Sequence, residues 1–400
     1  MALLGMKGTG DWSTPDERPK NYREQAFKLS WQGLMSPQPF TMILSKLRSS
    51  SVTDSRYKIF EDRLPDMAFT VSGDYTNETT ITLNAPGSTP AAGLKYGDLL
   101  TNPLTGEIMR ISANPSSPFT SIDVTRQFGS SLQNIASGTK LEWVGSAYGE
   151  GTDSPSGISR PFTVVENYTQ IFKDSAELTG TAEQIDTRPE KPWPRLKVEA
   201  LERHMIKMEK AFIFGRRYAT TDPVNGKVLQ TTGGLVHWIT GNVYDYSSTA
   251  FNLDALEESC ESIFKYGQGE KACFIGNRAL TVLHKAIRAN SQANWELGGA
   301  MNKKQTFGLN VRELITPHGS LMLIPHKLLN ESDYYNSWMF IVDTKYAEYV
   351  YLRNRDTKFK DNAQNGREDA RVGYYLTEAG LRLGLPECHA IIKNVTEYTP

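Results

Sequence analysis

Residues 194–217 carry one unbroken amphipathic stripe. Val198, Leu201, Met205, Met208 and Phe212 recur at alternating spacings of three and four, which places them along one side of a helix. Glu199, Glu202, Lys207 and Glu209 fall largely elsewhere on it. Pro192 and Pro194 stand at its start, where proline is tolerated because the first amides of a helix lack an intrahelical partner. The stretch predicts a helix of about six turns at ~3.6 residues per turn. The opposite pattern precedes it. Residues 67–148 hold short runs rich in Thr, Val, Ile and Tyr (Met67–Ser72, Thr79–Leu83, Asp98–Leu100, Glu107–Ser112, Ser121–Thr125 and Lys140–Val144) with no helical period. Turn signals such as Asn84–Gly87, Asn102–Gly106 and Asn114–Pro115 separate them. This is a small β-module, or a long β-hairpin with an insertion.

The remaining segments fit around these two. Residues 1–20 are rich in Gly, Pro and charge and read as an extended arm. Residues 21–35 form a short amphipathic helix with Tyr22, Phe27, Trp31 and Leu34 on its apolar side, stopped by Pro37 and Pro39. Residues 40–48 predict another short helix. The arm has too little apolar surface to bury alone, so it must dock on its own body or on a neighbour. Residues 149–161 read as a flexible linker. After the long helix, Gly233–Gly234 leads to a strand-like Leu235–Thr240. Leu253–Tyr266 predicts a helix capped by Asn252 or Asp254. Ala272–Ile275 predicts a strand, Arg278–Ala289 a helix, and Leu321–Pro325, Trp338–Asp343 and Ala347–Leu352 strands. Residues 354–371 are a polar loop of alternating charge. Strand-like Gly373–Leu376, Leu381–Leu385 and His389–Val395 close the chain. The fold class is α+β.

Composition excludes several roles. The net charge of the 400 residues is −1, whereas dedicated nucleic-acid binders show a strong basic excess or a basic face. The charge is mildly segregated: residues 1–58 carry +4 and residues 59–160 carry −5. Three cysteines imply no disulfide framework and fit a reducing cytosol. The N-terminal residues show no signal-peptide pattern, and no run approaches ~18 apolar residues, so no membrane partner is expected.

Catalytic and metal-binding patterns do not emerge. Gly145–Ser146 lacks the surroundings of a nucleophile elbow. Asn225–Gly226–Lys227 is followed by Val228 and lacks the upstream glycine of a phosphate loop, so it reads as a turn. Cys260, Cys273 and Cys388–His389 lack zinc-ligand spacing, and the first two lie on apolar faces. His318 and His326, at the ends of an apolar strand, read as turn or surface histidines. His204 reads as packing within the long helix. Glu257–Glu258, and Asp361 with Asp369, read as solvated carboxylates. No cofactor, metal or catalytic residue is expected.

The order of elements then matters more than any one residue. An adhesive arm, a long β excursion, one spine-like helix, an α/β region and late strands resemble the Johnson fold of tailed-bacteriophage major capsid proteins, in the branch with an enlarged extended loop. Four stretches carry the likeness: Pro37–Phe40 with Tyr57–Leu64; Ile122–Phe128 followed by Gly138–Gly151; Asn167–Ala182; and Tyr374–Ile392. Together they cover most of residues 22–396. Gln127–Phe128 departs from the pattern, standing where the family calls for a glycine. The resemblance implies an N-terminal arm (1–58), a β-rich extended loop with an insertion (59–182), a peripheral domain with its spine helix (183–228), an α/β axial domain (229–353) and return strands (354–400). It implies a chain that is not an enzyme. Such a chain self-assembles into pentamers and hexamers of an icosahedral virion head, built in the host cytoplasm. Its partners are itself, with scaffolding, portal and decoration proteins and sequence-blind contact with packaged DNA.

Subunit contacts are expected at Tyr22, Phe27, Trp31, Leu34 and Phe40, and in the late loop at Arg367, Glu368, Asp369 and Arg371, where copies meet. Deleting residues 1–48 ought then to leave a folded body. The rival readings are a tail or baseplate component, a hydrolase with an unrecognised site, and a nanocompartment shell of the same fold.

Overall fold

A strand covered on both faces cannot alternate apolar with polar residues, because neither face meets water. Two runs late in the chain obey this rule. Met339–Val342 is buried throughout, and Glu270–Ile275 at every position after the first. They are neighbours inside a seven-stranded sheet. The computed structural model describes residues 39–62, 67–84, 90–153, 155, 157, 162–184, 192–247, 251–289, 304–306, 309–364 and 369–398. The sheet runs Val243–Asp245, Ala390–Lys393, Met339–Val342, Glu270–Ile275, Gly319–Pro325, Leu309–Thr316, Lys304–Thr306. One face is covered by the helices Leu253–Ile263 and Asn277–Ala289. Leu256, Cys260, Ile263, Val282 and Leu283 pack there on Cys273, Ile275 and Ile341. Ala272, Phe274, Phe340 and Val342 join a second core with Phe40, Met208, Phe212 and Leu235. Asn252 caps the first helix by accepting from the Ala255 amide at 2.7 Å, as the sequence predicts.

The second sheet is built from sequence-distant strands, in the order Ser49–Val52, Ala347–Leu352, Ala370–Leu383, Gln170–Thr179, with Lys358–Lys360 also pairing Ala370–Leu383. Ala370–Leu383 is one continuous strand, not the two expected. It pairs with Gln170–Thr179 from Gln170 opposite Ala379 to Thr179 opposite Ala370. Its middle residues Thr377 and Glu378 look like a break in the sequence, yet they are buried and hydrogen-bonded. Ala347–Leu352 thus belongs to this sheet and Ala390–Lys393 to the first, so a boundary at residue 353 does not follow sheet membership.

The long helix spans Pro192–Phe214. Its buried side is Trp193, Ala200, His204, Met208, Glu209, Phe212 and Ile213. The expected stripe is rotated: Val198 is 61% exposed, while Ala200 and His204 occupy the places given to Leu201 and Met205. The sequence places Glu209 off the stripe and reads His204 as packing; both are buried, each with polar partners inside. Leu235–Trp238 is a single helical turn where a strand was expected. An apolar run this short carries no periodicity to decide between the two.

Residues 62–163 form a compact unit of their own. Within it a closed barrel runs Ala68–Val71, Thr80–Asn84, Ser121–Thr125, Ile108–Ile111, Asp98–Thr101, Lys140–Ser146 and back to Ala68–Val71. Alternate residues point inward, so Phe69, Ile81, Leu83, Leu100, Met109, Ile122, Val124 and Leu141 fill it. Closure removes the exposed edges that would otherwise recruit other strands. One ion pair is buried there: Glu107 receives Arg126 through two bonds of 2.8 and 2.7 Å, and also the Gln133 amide at 3.2 Å. Burial pushes the Glu107 carboxyl up, but the Arg126 bonds outweigh it and hold the group below its ordinary value. Gln127 takes a left-handed φ of 61°. Glu107→Ala leaves the Arg126 guanidinium buried without its partner. The expected loss is roughly 3–5 kcal/mol, read from the barrel's thermal or urea transition. A loss below about 1 kcal/mol would show that water replaces the carboxylate at no cost.

Candidate assembly site

Tyr22, Phe27, Trp31 and Leu34, expected to hold neighbouring subunits, lie outside the described residues, as do Arg367 and Glu368. Phe40, Asp369 and Arg371 can be placed. Phe40 is 1% exposed and meets Phe274 edge-on at 5.2 Å between centroids. It belongs to the subunit's own core and offers no surface to a neighbour. The Arg371 guanidinium pairs within the chain, with Asp361 at 3.0 Å and Glu183 at 3.1 Å, and lies 4.6 Å from the Trp193 ring centre. The bond from Arg371 holds the Asp361 carboxyl below the usual range. Asp369 is exposed, and its carbonyl accepts from the Gly180 amide at 3.0 Å.

Phe40 is buried because of how its helix, Pro39–Leu47, begins. The first amides of a helix need outside partners. Pro39 has no amide hydrogen. The amides of Phe40 and Thr41 donate to Glu209 of the long helix, each at 2.9 Å, and the Thr41 hydroxyl donates to the same carboxylate. His326, following strand Gly319–Pro325, donates through Nε2 at 2.8 Å. Glu209 and His326 are both fully buried. His326 was expected at the surface. A negative group against a helix N-terminus is favourable for the same reason that cations suit the opposite end.

A second polar row crosses the long helix one turn earlier. Asp174 accepts from His204 at 3.1 Å and also pairs with Lys207. His204 Nε2 meets the Thr377 hydroxyl at 2.7 Å, and Thr377 meets Thr357 at 2.8 Å. Burial pushes His204 below its ordinary value, more than Asp174 raises it. A carboxylate, imidazole and hydroxyl in line are the parts of a nucleophilic triad. Here His204 and Thr377 are fully buried, so the hydroxyl faces another threonine and no substrate. The row is a structural tie, consistent with reading His204 as packing.

Two further buried groups fasten the first sheet. Lys271 donates to three carbonyls, of Ile263 (2.7 Å), Tyr266 (2.9 Å) and Cys388 (2.7 Å), so it caps the C-terminus of helix Leu253–Ile263. His389 accepts from the Asp343 amide at 3.1 Å and bonds the Gly384 carbonyl at 3.2 Å through its other nitrogen. No group of three or more metal-ligating side chains occurs among the described residues, and no described helix is long and apolar enough to cross a membrane.

The family model for SU10 major capsid protein matches residues 21–396. The chain belongs to this family. It is a phage major capsid protein, a component of the virion, with an α+β body. It is similar to the major capsid protein of Pseudomonas phage PaMx41, 24% identical over 385 residues that cover 89% of this chain and 88% of that one. Among solved structures it is similar to the capsid of an empty GTA particle, with a TM-score of 0.48, 8% identity and coverage of 93% and 95% of the two chains. It is also similar to the SrpI encapsulin of Synechococcus elongatus PCC 7942, with a TM-score of 0.45, 10% identity and coverage of 95% and 96%.

The buried ties of this capsid protein make two measurable demands. Glu209→Ala leaves two helix amides and the His326 ring nitrogen facing an empty space. The expected loss is roughly 3–5 kcal/mol of subunit stability, read from the urea midpoint. An unchanged midpoint would mean that Glu209 does not hold the arm-side helix.

Burial lowers His389 to about 4 from an ordinary 6.5. The unfolded chain therefore binds a proton that the folded one refuses. Stability from this site is complete above 6.5 and falls by roughly 3 kcal/mol as pH drops toward 4. The unfolding free energy of the intact protein should decline more steeply over that window than that of His389→Gln. Parallel slopes for the two would contradict a neutral buried His389.

Proposed function

We propose that this capsid protein assembles with itself into pentamers and hexamers, which close into an icosahedral head around phage DNA. The family match across residues 21–396 carries this reading, since it spans the arm, the β excursion, the spine helix and the closing strands together. The role requires contact surface and no chemical step, and the one triad-like row in the described residues is sealed from solvent. The arm residues Tyr22, Phe27, Trp31 and Leu34 engage a neighbour. The segment bearing Arg367, Glu368 and Asp369, with Arg371 at the start of strand Ala370–Leu383, lies where capsomers join. Arg371 already holds Asp361 and Glu183, so any exchange of partners there competes with pairs inside the subunit. The barrel unit, whose surrounding residues 59–160 carry −5, leans on a neighbour. The +4 segment 1–58 faces DNA without reading sequence. Scaffolding, portal and decoration proteins are the further partners.

Negative-stain microscopy of the expressed chain, alone and with co-expressed phage head proteins, should show closed particles. Only soluble monomer in every condition would count against shell building. Truncation separates the arm from the core. Removing residues 1–38 keeps Phe40 and Thr41 on Glu209 and should leave folded subunits that fail to close. Removing residues 1–48 takes Phe40, Ile43 and Leu44 out of the core and should unfold the subunit, contrary to what the sequence alone suggests. Normal particles from the shorter truncation would remove the arm from this proposal.

A further inference from the structure

After the long helix the chain makes a hairpin that pairs with no other strand among the described residues. Tyr218–Thr221 and Val228–Thr231 are antiparallel to each other and form a sheet of two. Residues directly opposite share a face, and successive residues alternate. Tyr218 and Leu229 therefore lie on one face of the ribbon and Val228 on the other, with Val224 in the turn between them. All four are in solvent: Tyr218 is 62% exposed, Leu229 49%, Val228 73% and Val224 91%. A single apolar side chain at a surface is ordinary. Apolar groups on both faces and the tip of one thin projection are a concentration that solvent does not favour.

The projection is held firmly at its root. Asn167, fully buried, donates to the Gly233 carbonyl at 3.1 Å and the Leu381 carbonyl at 2.7 Å, and accepts from the Gly233 amide at 2.9 Å. The Gln170 side chain accepts from the Thr232 amide at 3.2 Å, and Gly234 donates to Gly215 across the base at 2.9 Å. The tip is tightened by Asp222, whose amide and carbonyl bond Lys227 and Gly226 at 2.7 and 2.8 Å. An isolated two-stranded ribbon is marginal in water. This one is fixed in advance of any contact, which lowers the ordering cost of binding.

We propose that the hairpin seats between surfaces of a second copy of this chain in the assembled particle. The inference rests on the shell-building reading above. Charge favours a second copy: residues 216–231 carry Arg216, Arg217 and Lys227 against Asp222, a net +2, while residues 62–163 hold six Lys/Arg and ten Asp/Glu, a net −4. The neighbour's barrel unit offers the complementary sign, and its own exposed Met67, Leu104 and Val144 offer apolar area.

A thiol placed at the tip tests this directly, because Cys260, Cys273 and Cys388 are all buried. Val224→Cys should react readily with a maleimide in the unassembled subunit and lose that labelling in particles made from this chain alone. Equal labelling in both states overturns the proposal. Protection that appears only in particles containing other head proteins also overturns it, by making the occupant a different protein. Val228→Asp with Leu229→Asp should leave subunit melting unchanged and abolish particles; normal particles from this variant refute it again. If the unaltered chain forms no particles in any condition, alone or with co-expressed head proteins, the shell-building reading itself has failed, and that is seen before any variant is made.

Discussion

One carboxylate organises the larger unit. Glu209 receives two backbone amides, a hydroxyl and an imidazole nitrogen in a place that water does not reach. Moving such a group out of water costs several kcal/mol unless its lone pairs are met, and here four donors meet them. The requirement is mutual. The helix Pro39–Leu47 needs acceptors for its first amides, and the long helix needs donors for its acid. His326 brings the seven-stranded sheet to the same point. Three parts of the chain, far apart in sequence, are thereby held in one relative position, and the rotation of the long helix is settled with them.

The same logic recurs at smaller scale. Asn167 ties the hairpin root to strand Ala370–Leu383. Asp174, His204 and Thr377 tie the long helix to both strands beneath it. Lys271 gathers three carbonyls from a helix end and the turn before Ala390–Lys393. Apolar packing supplies most of the driving force but is tolerant of sliding and rotation. A buried polar contact is satisfied in one geometry and costly in its neighbours. A subunit that must match many copies of itself gains a single shape from these seams.

Features legible in the sequence were those fixed by nearby residues. The Asn252 cap, the long helix after Pro192 and Pro194, the turn at Gly226 and the short barrel strands all follow from local pattern. Gln127 takes a left-handed φ, a backbone that glycine adopts freely, without being glycine. What could not be read depends on partners far along the chain. Glu209 meets Phe40 across 169 positions and His326 across 117. Without those partners a glutamate on a helix is assigned to solvent, and the stripe is drawn one residue out of phase. Phe40 looked adhesive for the same reason: its apolar character is plain, but the core it enters is assembled from elsewhere. The exposed apolar hairpin had a local signal, Tyr218 and Val228–Leu229 beside a turn, yet exposure is a property of the fold.

The strand Ala370–Leu383 has a consequence for how the protein is made. It lies between Gln170–Thr179 and Ala347–Leu352, and one of its outer neighbours is Ser49–Val52 through the latter. That sheet cannot be completed until Leu383 has left the ribosome, since its central member comes last. The barrel of residues 62–163 is different, because all its strands are close in sequence and it can close while translation continues. Prematurely terminated chains would therefore present a finished barrel on an unfinished body. Synthesis through Leu383 becomes a condition for a finished body, imposed by chain connectivity alone.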